Sequence, residues 1–439
     1  MKRVQTPSIH RELLSGPKSA PELAQALSLS QPGFSRLFKS GAEIERVRSF
    51  GAGRATLYAA TRQISGLDSE FPVFRIDESG RIHAIGELTA IESRGFILVP
   101  PTGKPEVFPG IPFFFSDVRP QGYLGRVFAL RHEDLGFPSR VPDWSEDQIF
   151  AALALRGEHL PGNLLVGKES FARFQNGKLP APISLNKRAA EYEARSVDAL
   201  HGSIPGSSAA GEQPKFPAFI EENRNVIVKF SPILSTSKGR RWGDLLIAES
   251  LALETLHDEL GIPVARTEVV IGDQRIFLES TRFDRVGAQG RKGCTSFLSL
   301  EAEWIGAPSV WATSAKTFFA ENRISAADAK KIQTIDAFGA WIANSDRHYG
   351  NLSFFYEVGQ TSAELAPVYD MLPMFFAPKE TEELEFARTW VKPNPIPETL
   401  AVWETARAAA QSFWGKVIAD PRISADFKRE AERVRKVLS

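Results

Sequence analysis

Cysteine is nearly absent from this chain: Cys294 is the single one in 439 residues, which excludes an intrachain disulfide and a cysteine-cluster metal site. A lone thiol fits a reducing compartment, and Cys294 reads as a small buried hydrophobe. Long apolar runs are also missing. No stretch approaches the roughly eighteen uninterrupted apolar residues of a membrane span, and MKRVQTPSIHRELL at Met1 to Leu14 has charge but no hydrophobic signal core. The expectation is a cytoplasmic protein with no membrane association. Histidine is scarce, with seven in all and no HExxH, which counts against zinc chemistry. Net charge is absent as well, since 53 Lys or Arg balance 53 Asp or Glu. The composition is that of an ordinary soluble chain, long enough for several domains.

The balance hides an asymmetry. Residues 1 to 63 hold ten Lys or Arg and four Asp or Glu, so a head of +6 precedes a body of −6. A basic head suggests contact with nucleic acid. Within it, Ser19 can cap a helix bearing Leu23, Ala24 and Leu27 on one face, and a second helix would begin at Ser30 with Pro32 in its first turn. That second helix would bury Phe34, Leu37 and Phe38 and turn Gln31, Ser35, Arg36 and Lys39 outward. Two short helices joined by a tight turn have helix-turn-helix spacing. IERVRSFGAGRATLYAA alternates on both sides of Gly51-Ala52-Gly53, as a hairpin would. Together these predict a winged helix-turn-helix, with Gln31, Ser35, Arg36 and Lys39 on DNA and Arg54 reaching it from the wing. The plainer alternative is a basic subdomain that only packs on its neighbour.

Residues 72 to 130 carry short β-like runs, FPVFRI, RIHAIGEL, GFILVP and VFALR, and predict a small sheet. Further on, HGSIPGSSAAGEQPKF at His201 to Phe216 is a Gly/Ser loop able to bring backbone N–H groups to phosphates. Gly206 and Gly211 have half of a P-loop's spacing, but Glu212-Gln213 stand where Lys-Ser/Thr belongs, which argues against a P-loop NTPase. Alone, such a stretch is more often a flexible linker than a phosphate clamp.

Its meaning comes from the order of the next polar residues along the chain. NVIVKFSP places Lys229 on a strand, and the helical run Gly243 to Leu260 offers Glu249, with Asp244 and Glu254 as competitors. Loop, strand lysine and helix glutamate is the order of a protein-kinase small lobe. A buried helix through Ile332, Ile335, Phe338 and Ile342 then runs into WIANSDRHYGNLSFF, where Asp346 and Asn351 reproduce the Asp-x-x-x-x-Asn of a kinase catalytic loop. In that arrangement Asp346 is the base and Asn351 ligates Mg²⁺. The metal needs a second oxygen donor, and ELAPVYD supplies it in Asp370, at the end of a strand able to form a hairpin with Leu352 to Tyr356.

Ser208-Ala-Ala-Gly-Glu-Gln-Pro-Lys215, RFDR at Arg282 to Arg285, Asp346-Arg-His-Tyr-Gly-Asn351 and Tyr369-Asp370-Met-Leu372 resemble, in order, the recurring segments of the HipA-type serine/threonine kinases of bacterial toxin–antitoxin systems. The fused basic head is most similar to the single-chain YjjJ or HipH subgroup. The resemblance implies an α+β, bilobal protein-kinase-like fold of the HipA kind with an N-terminal winged helix-turn-helix. It implies Asp346 and Lys229 as catalytic residues and Asn351 and Asp370 as Mg²⁺ ligands. ATP would be bound by Ser208, Ala209, Ala210, Gly211, Lys229, Thr281, Phe283 and His348. Ser208 would be autophosphorylated to switch the kinase off, although Ser207 lies beside it.

The expected organisation is a DNA-binding domain at 1–68, a β-rich HipA N-terminal-type subdomain at 69–190, a kinase small lobe at 191–285 and a helical large lobe at 286–439. The expected function is an ATP/Mg²⁺-dependent, growth-inhibiting protein kinase; the resemblance suggests a substrate such as an aminoacyl-tRNA synthetase and leaves a separate antitoxin open. The competing function is a DNA-binding regulator whose kinase-like body senses nucleotide without transferring phosphate.

Overall fold

The computed structural model describes residues 8–40, 46–53, 56–201, 213–307, 309–378 and 390–438. The chain divides into two compact units, one of Met1–Asp77, Arg81–Arg119 and Leu135–Gly177, the other of Glu78–Gly80, Pro120–Asp134 and Lys178–Ser439.

The first unit begins with α1 (Ile9–Leu13), β1 (Lys18–Ser19), α2 (Ala20–Ala26) and α3 (Gln31–Lys39), followed by β2 (Val47–Phe50) and β3 (Leu57–Ala60). Ser19 starts α2 through a capping box: its backbone N–H donates to Glu22 Oε2 at 2.7 Å while its hydroxyl accepts from the Glu22 N–H. Ser30 caps α3 by accepting from Gly33 N–H at 3.2 Å. The turn between the two helices passes through Ser28 at φ 57. Ile9, Leu13, Leu23, Leu27, Phe34 and Val47 form the core of this part, with the Tyr58 ring edge-on to Phe34 at 5.1 Å. The strands make an antiparallel sheet in the order β1-β3-β2. Gln31, Ser35, Arg36 and Lys39 are all exposed on α3, and Arg54 lies outside the described residues.

A second sheet comes next in the chain, with β4 (Glu70–Ile76), β5 (Ile82–Ala90), β6 (Phe96–Val99) and β7 (Glu106–Phe108). The next helix, α4 (Gly122–Arg131), belongs to the other unit; the first resumes with α5 (Glu146–Arg156), β8 (Leu164–Val166) and α6 (Lys168–Asn176). The sheet order is β7-β6-β5-β4-β8. Of the four apolar runs expected as strands, VFALR is instead the C-terminal half of α4. A five-residue apolar run has no period of its own, and here it continues a helix that begins at Gly122 and buries Tyr123, Gly125 and Ala129. Arg62 joins the two sheets of this unit. It donates to Ile91 O at 2.9 Å and to both oxygens of Asp147 at 2.8 and 2.7 Å, while Phe50 and Ala59 pack on Ile91 and Ile97.

In the second unit α7 (Arg188–His201) lies on a four-stranded antiparallel sheet of order β11-β12-β10-β9, made by β9 (Lys215–Ile220), β10 (Arg224–Phe230), β11 (Thr267–Ile271) and β12 (Ile276–Thr281). Tyr192, Phe216, Val226, Val228, Phe230 and Phe277 fill the space between them. The other sheet face carries the long α8 (Ser237–Leu260), capped by Thr236 and ended by Gly261 in the left-handed conformation. The chain continues through the small pair β13 (Arg285–Val286) and β14 (Gly290–Arg291), then β15 (Cys294–Ser296), α9 (Phe297–Trp304), α10 (Trp311–Ala320) and α11 (Ala326–Trp341). After α11 come β16 (Ser353–Phe355) and β17 (Glu364–Leu365), which pair in a sheet of order β15-β16-β17, and finally α12 (Trp403–Ala419) and α13 (Ala425–Leu438). Within this unit a sheet-rich part thus precedes a helix-rich one, with the polar segments between them.

Candidate active site

Strand alternation on β10 sends Val226, Val228 and Phe230 into the core and Lys229 to the opposite face, toward α8. Lys229 is 6% exposed, and Glu249, on the buried side of α8, is 0% exposed. The ammonium donates to both Glu249 oxygens, at 2.6 and 2.8 Å, and also contacts Asp370 Oδ1. Burial holds the Lys229 pKa below that of an ordinary lysine, opposed by the Glu249 charge. The competing carboxylates of α8 are committed elsewhere. Asp244 accepts from Ser424 N–H and Oγ–H at 2.7 and 2.6 Å, and Glu254 pairs with Lys416 at 2.9 Å on the surface. Glu249 is therefore the helix partner of Lys229.

Helix α11 ends at Trp341 because the next turn passes through Ala343 at φ 62. Asn344 Oδ1 then accepts from Asp346 N–H at 2.9 Å, and Asp346 O accepts from His348 N–H and from Asn351 Nδ2–H, both at 2.9 Å. The backbone of Asp346 is held on both sides, while its side chain is exposed and has no hydrogen bond among the described residues. Since Asn351 spends an amide N–H on this turn, its side-chain oxygen remains an acceptor. Arg347 points back into the fold: its Nε donates to Asp336 Oδ1 at 3.0 Å and its Nη1 to Asn344 O. His348 Nδ1 accepts from Gly350 N–H at 3.0 Å, which makes it a local cap of the loop.

Asp370 arrives through Tyr369, whose hydroxyl donates to Gly350 O at 2.9 Å and lies 2.8 Å from Ser353 Oγ. This brings the residue next to Asn351 against the residue next to Asp370. Asp370 itself has φ 54, an uncommon conformation for a non-glycine residue and one that concentrates at working sites. Met371 is fully buried after it and accepts from Asn344 Nδ2–H at 3.4 Å.

The RFDR segment leaves β12 at Thr281, whose buried Oγ1 has no hydrogen-bond partner among the described residues. Buried polar atoms are seldom left so; Thr281 pairs with Val226, so its side chain is on the α7 face of the sheet, opposite Lys229. Asp284 ties Arg282 at 2.9 and 2.7 Å and Arg285 at 2.6 Å, and burial pushes the Arg285 pKa down to about 10. Phe283 packs on Phe355 and Tyr369, with ring centroids 5.9 and 5.8 Å away.

Lys229, Glu249, Asp370, Asn351 and Asp346 are thus brought to one region by direct or one-residue links, and Phe283, two residues after Thr281, borders it through Tyr369. Ser208, Ala209, Ala210 and Gly211 lie outside the described residues. Among the described residues no group of three or more His, Cys, Asp or Glu is arranged for a metal; the oxygen donors in this region are the Asp370 carboxylate and the Asn351 amide oxygen. A hard cation accepts that donor set. Two supporting residues escaped the sequence. Asp336 was legible only as a carboxylate between Ile335 and Phe338 on a buried stripe, and Tyr369 only as part of a recurring segment.

Comparison with known proteins decides the family. The model for the YjjJ-like toxin middle domain matches residues 67–175, and that for the HipA-like C-terminal domain matches residues 207–437. Toxin YjjJ of Escherichia coli (strain K12) is 38% identical over 427 residues, covering 96% of this chain and 95% of the relative. The chain belongs to the YjjJ-like toxin family, with a HipA-like C-terminal domain. A solved HipA, from the Shewanella oneidensis MR-1 toxin–antitoxin complex of HipA, HipB and operator DNA, superposes with a TM-score of 0.54. It covers 84% of this chain and 95% of its own at 18% identity, which establishes a shared fold. The Helicobacter pylori proinflammatory kinase CtkA gives a TM-score of only 0.32 over 51% of this chain, too slight a likeness to argue from. Within this YjjJ-like chain the four recurring segments fall where the HipA-like domain matches. No helix among its described residues is long and apolar enough to cross a membrane.

Proposed function

We propose that this YjjJ-like chain is an ATP- and Mg²⁺-dependent protein serine/threonine kinase, growth-inhibiting in the cell, with a DNA-binding winged head. The observation that carries the reading is Lys229, buried between Glu249 on α8 and Asp370 beyond the catalytic loop. One ammonium against two carboxylates leaves a net negative charge, which suits a divalent cation that arrives carrying polyphosphate. In this reading Lys229 meets the α/β-phosphates, the chain segment from Thr281 to Phe283 meets the adenine, and His348 steadies the loop beside the phosphates. Asp370 and the Asn351 side-chain oxygen would hold Mg²⁺, which when bound would neutralise phosphate charge. Asp346 takes the proton of a serine or threonine hydroxyl as its oxygen bonds to the γ-phosphorus; the β–γ bridging P–O bond breaks and ADP leaves. Positioning and charge neutralisation supply most of the acceleration. Ser208 in the Gly/Ser loop is the proposed autophosphorylation site, and an aminoacyl-tRNA synthetase is one substrate consistent with the family resemblance.

The nucleotide part is tested by thermal unfolding of the full chain. ATP with Mg²⁺ at about 100 times its Kd should stabilise by about 2.7 kcal/mol, chelation should remove most of that gain, and Asp370→Ala should respond to ATP equally with and without Mg²⁺. No shift with either ligand refutes it.

The head rests on α2 and α3 with the antiparallel β2–β3 hairpin, and on four exposed side chains, Gln31, Ser35, Arg36 and Lys39. Arg36→Ala and Lys39→Ala should each weaken binding of the full chain to duplex DNA and each reduce the salt slope of log K by about 1. Binding indifferent to salt and to both substitutions would remove DNA from the account.

A further inference from the structure

Asp336 is 7% exposed on α11, between Ile335 and Phe338, which are each 0% exposed. A carboxylate in such a place is costly unless its charge and its hydrogen bonds are answered. Two donors answer it. Arg347 Nε of the catalytic loop lies 3.0 Å from Oδ1, and the Ala312 N–H in the first turn of α10 lies 3.2 Å from Oδ2. The second bond fills a gap, because Val310, the residue before α10, offers no side-chain cap. Trp311, also in that turn, donates from Nε1 to His348 O at 3.1 Å, so α10 grips the loop directly as well.

Gly339, one turn after Asp336, makes room for this pairing: a Cβ there would stand 2.6 Å from Arg347 Cδ. Arg347 in turn donates to Asn344 O, and Asn344 holds Asp346 N–H through Oδ1 and Met371 through Nδ2. One chain of contacts therefore runs from the helix core to the backbone of Asp346 and to the neighbour of Asp370.

We propose that Asp336 is a positioning residue for phosphoryl transfer, acting through Arg347 and Asn344 to fix the backbone that presents Asp346. This rests on the kinase reading. Asp336 touches neither nucleotide nor substrate. Its effect belongs to the rate of the chemical step and leaves nucleotide affinity alone, because its hydrogen bonds go to Arg347 and Ala312 and not to Lys229, Glu249 or Thr281.

The test compares wild type with Asp336→Asn, Arg347→Met and the double variant, using the full chain for ATP-dependent label transfer and for hydrogen exchange of amides 344–352. Each single variant should lower kcat by about 10²-fold, the scale of a misplacement near 1 Å, with KM for ATP within about twofold. The double variant should lose no more than the worse single one, since both remove the same link. Exchange over 344–352 should quicken in all three. Wild-type kcat in Asp336→Asn, or losses that multiply in the double variant, overturns the proposal. Should Asp336→Asn fail to fold, Arg347→Met, which alters a half-buried side chain, reads the same link. If wild type itself transfers no label, the kinase reading falls and the exchange data decide alone: faster exchange over 344–352 upholds the positioning role, and unchanged exchange refutes it.

Discussion

Lys229→Met is expected to destabilise the chain by about 3–5 kcal/mol and to abolish phosphate binding. The substitution removes the cation bonded to Glu249, which is fully buried, and leaves that carboxylate facing Asp370. Adding Glu249→Leu should restore most of the stability, because an apolar pair of similar volume needs neither charge nor hydrogen bond. It should restore none of the nucleotide binding, which depends on the ammonium. Calorimetry separates the two effects: a single variant as stable as wild type would mean that the pair is not buried as described. The wild-type pair also sets a pH dependence. With burial holding Lys229 below the ordinary lysine pKa, the folded state binds fewer protons than the unfolded one between the two values. Lys229 therefore makes stability rise with pH across that window and level off above the ordinary value; the Lys229→Met/Glu249→Leu chain should lack this rise.

The second large effect is that of Asp346→Asn. The hydrogen bonds that shape the loop use the Asp346 backbone N–H and carbonyl, and its exposed carboxylate carries none of them. An isosteric amide should therefore fold identically and bind ATP as before, yet lose the proton acceptor. General-base removal costs about 10²–10⁴-fold, and a loss within that range is expected. An equal loss of ATP affinity in this variant would show instead that Asp346 supports the nucleotide.

The polar loop was legible because its signals are local. A run of Ile332, Ile335, Phe338 and Ile342 at helical spacing, an Asp and an Asn five apart, and a following apolar strand all lie within one short stretch. The β16–β17 pairing is legible in the same way, but β17 ends at Leu365, five residues before Asp370, where the sequence suggests that the strand ends. Glu249 was harder. Asp244, Glu249 and Glu254 share one 24-residue helix, and what separates them is Ser424 for the first and Lys416 for the last, both more than a hundred residues away. Asp336 could not be assigned from sequence either, since its two donors come from a different helix and from the loop. VFALR shows the limit from the other side: a short apolar run suits strand or helix, and only its place in the helix from Gly122 chose between them.

The most direct measurement is transfer of label from γ-labelled ATP, with Mg²⁺, to the chain itself and to proteins of a lysate, comparing wild type, Asp346→Ala and Asp370→Ala. The account predicts labelled protein with wild type and a signal at least about 10²-fold weaker with either variant. Wild type that labels nothing, or variants that label as well as wild type, would contradict it.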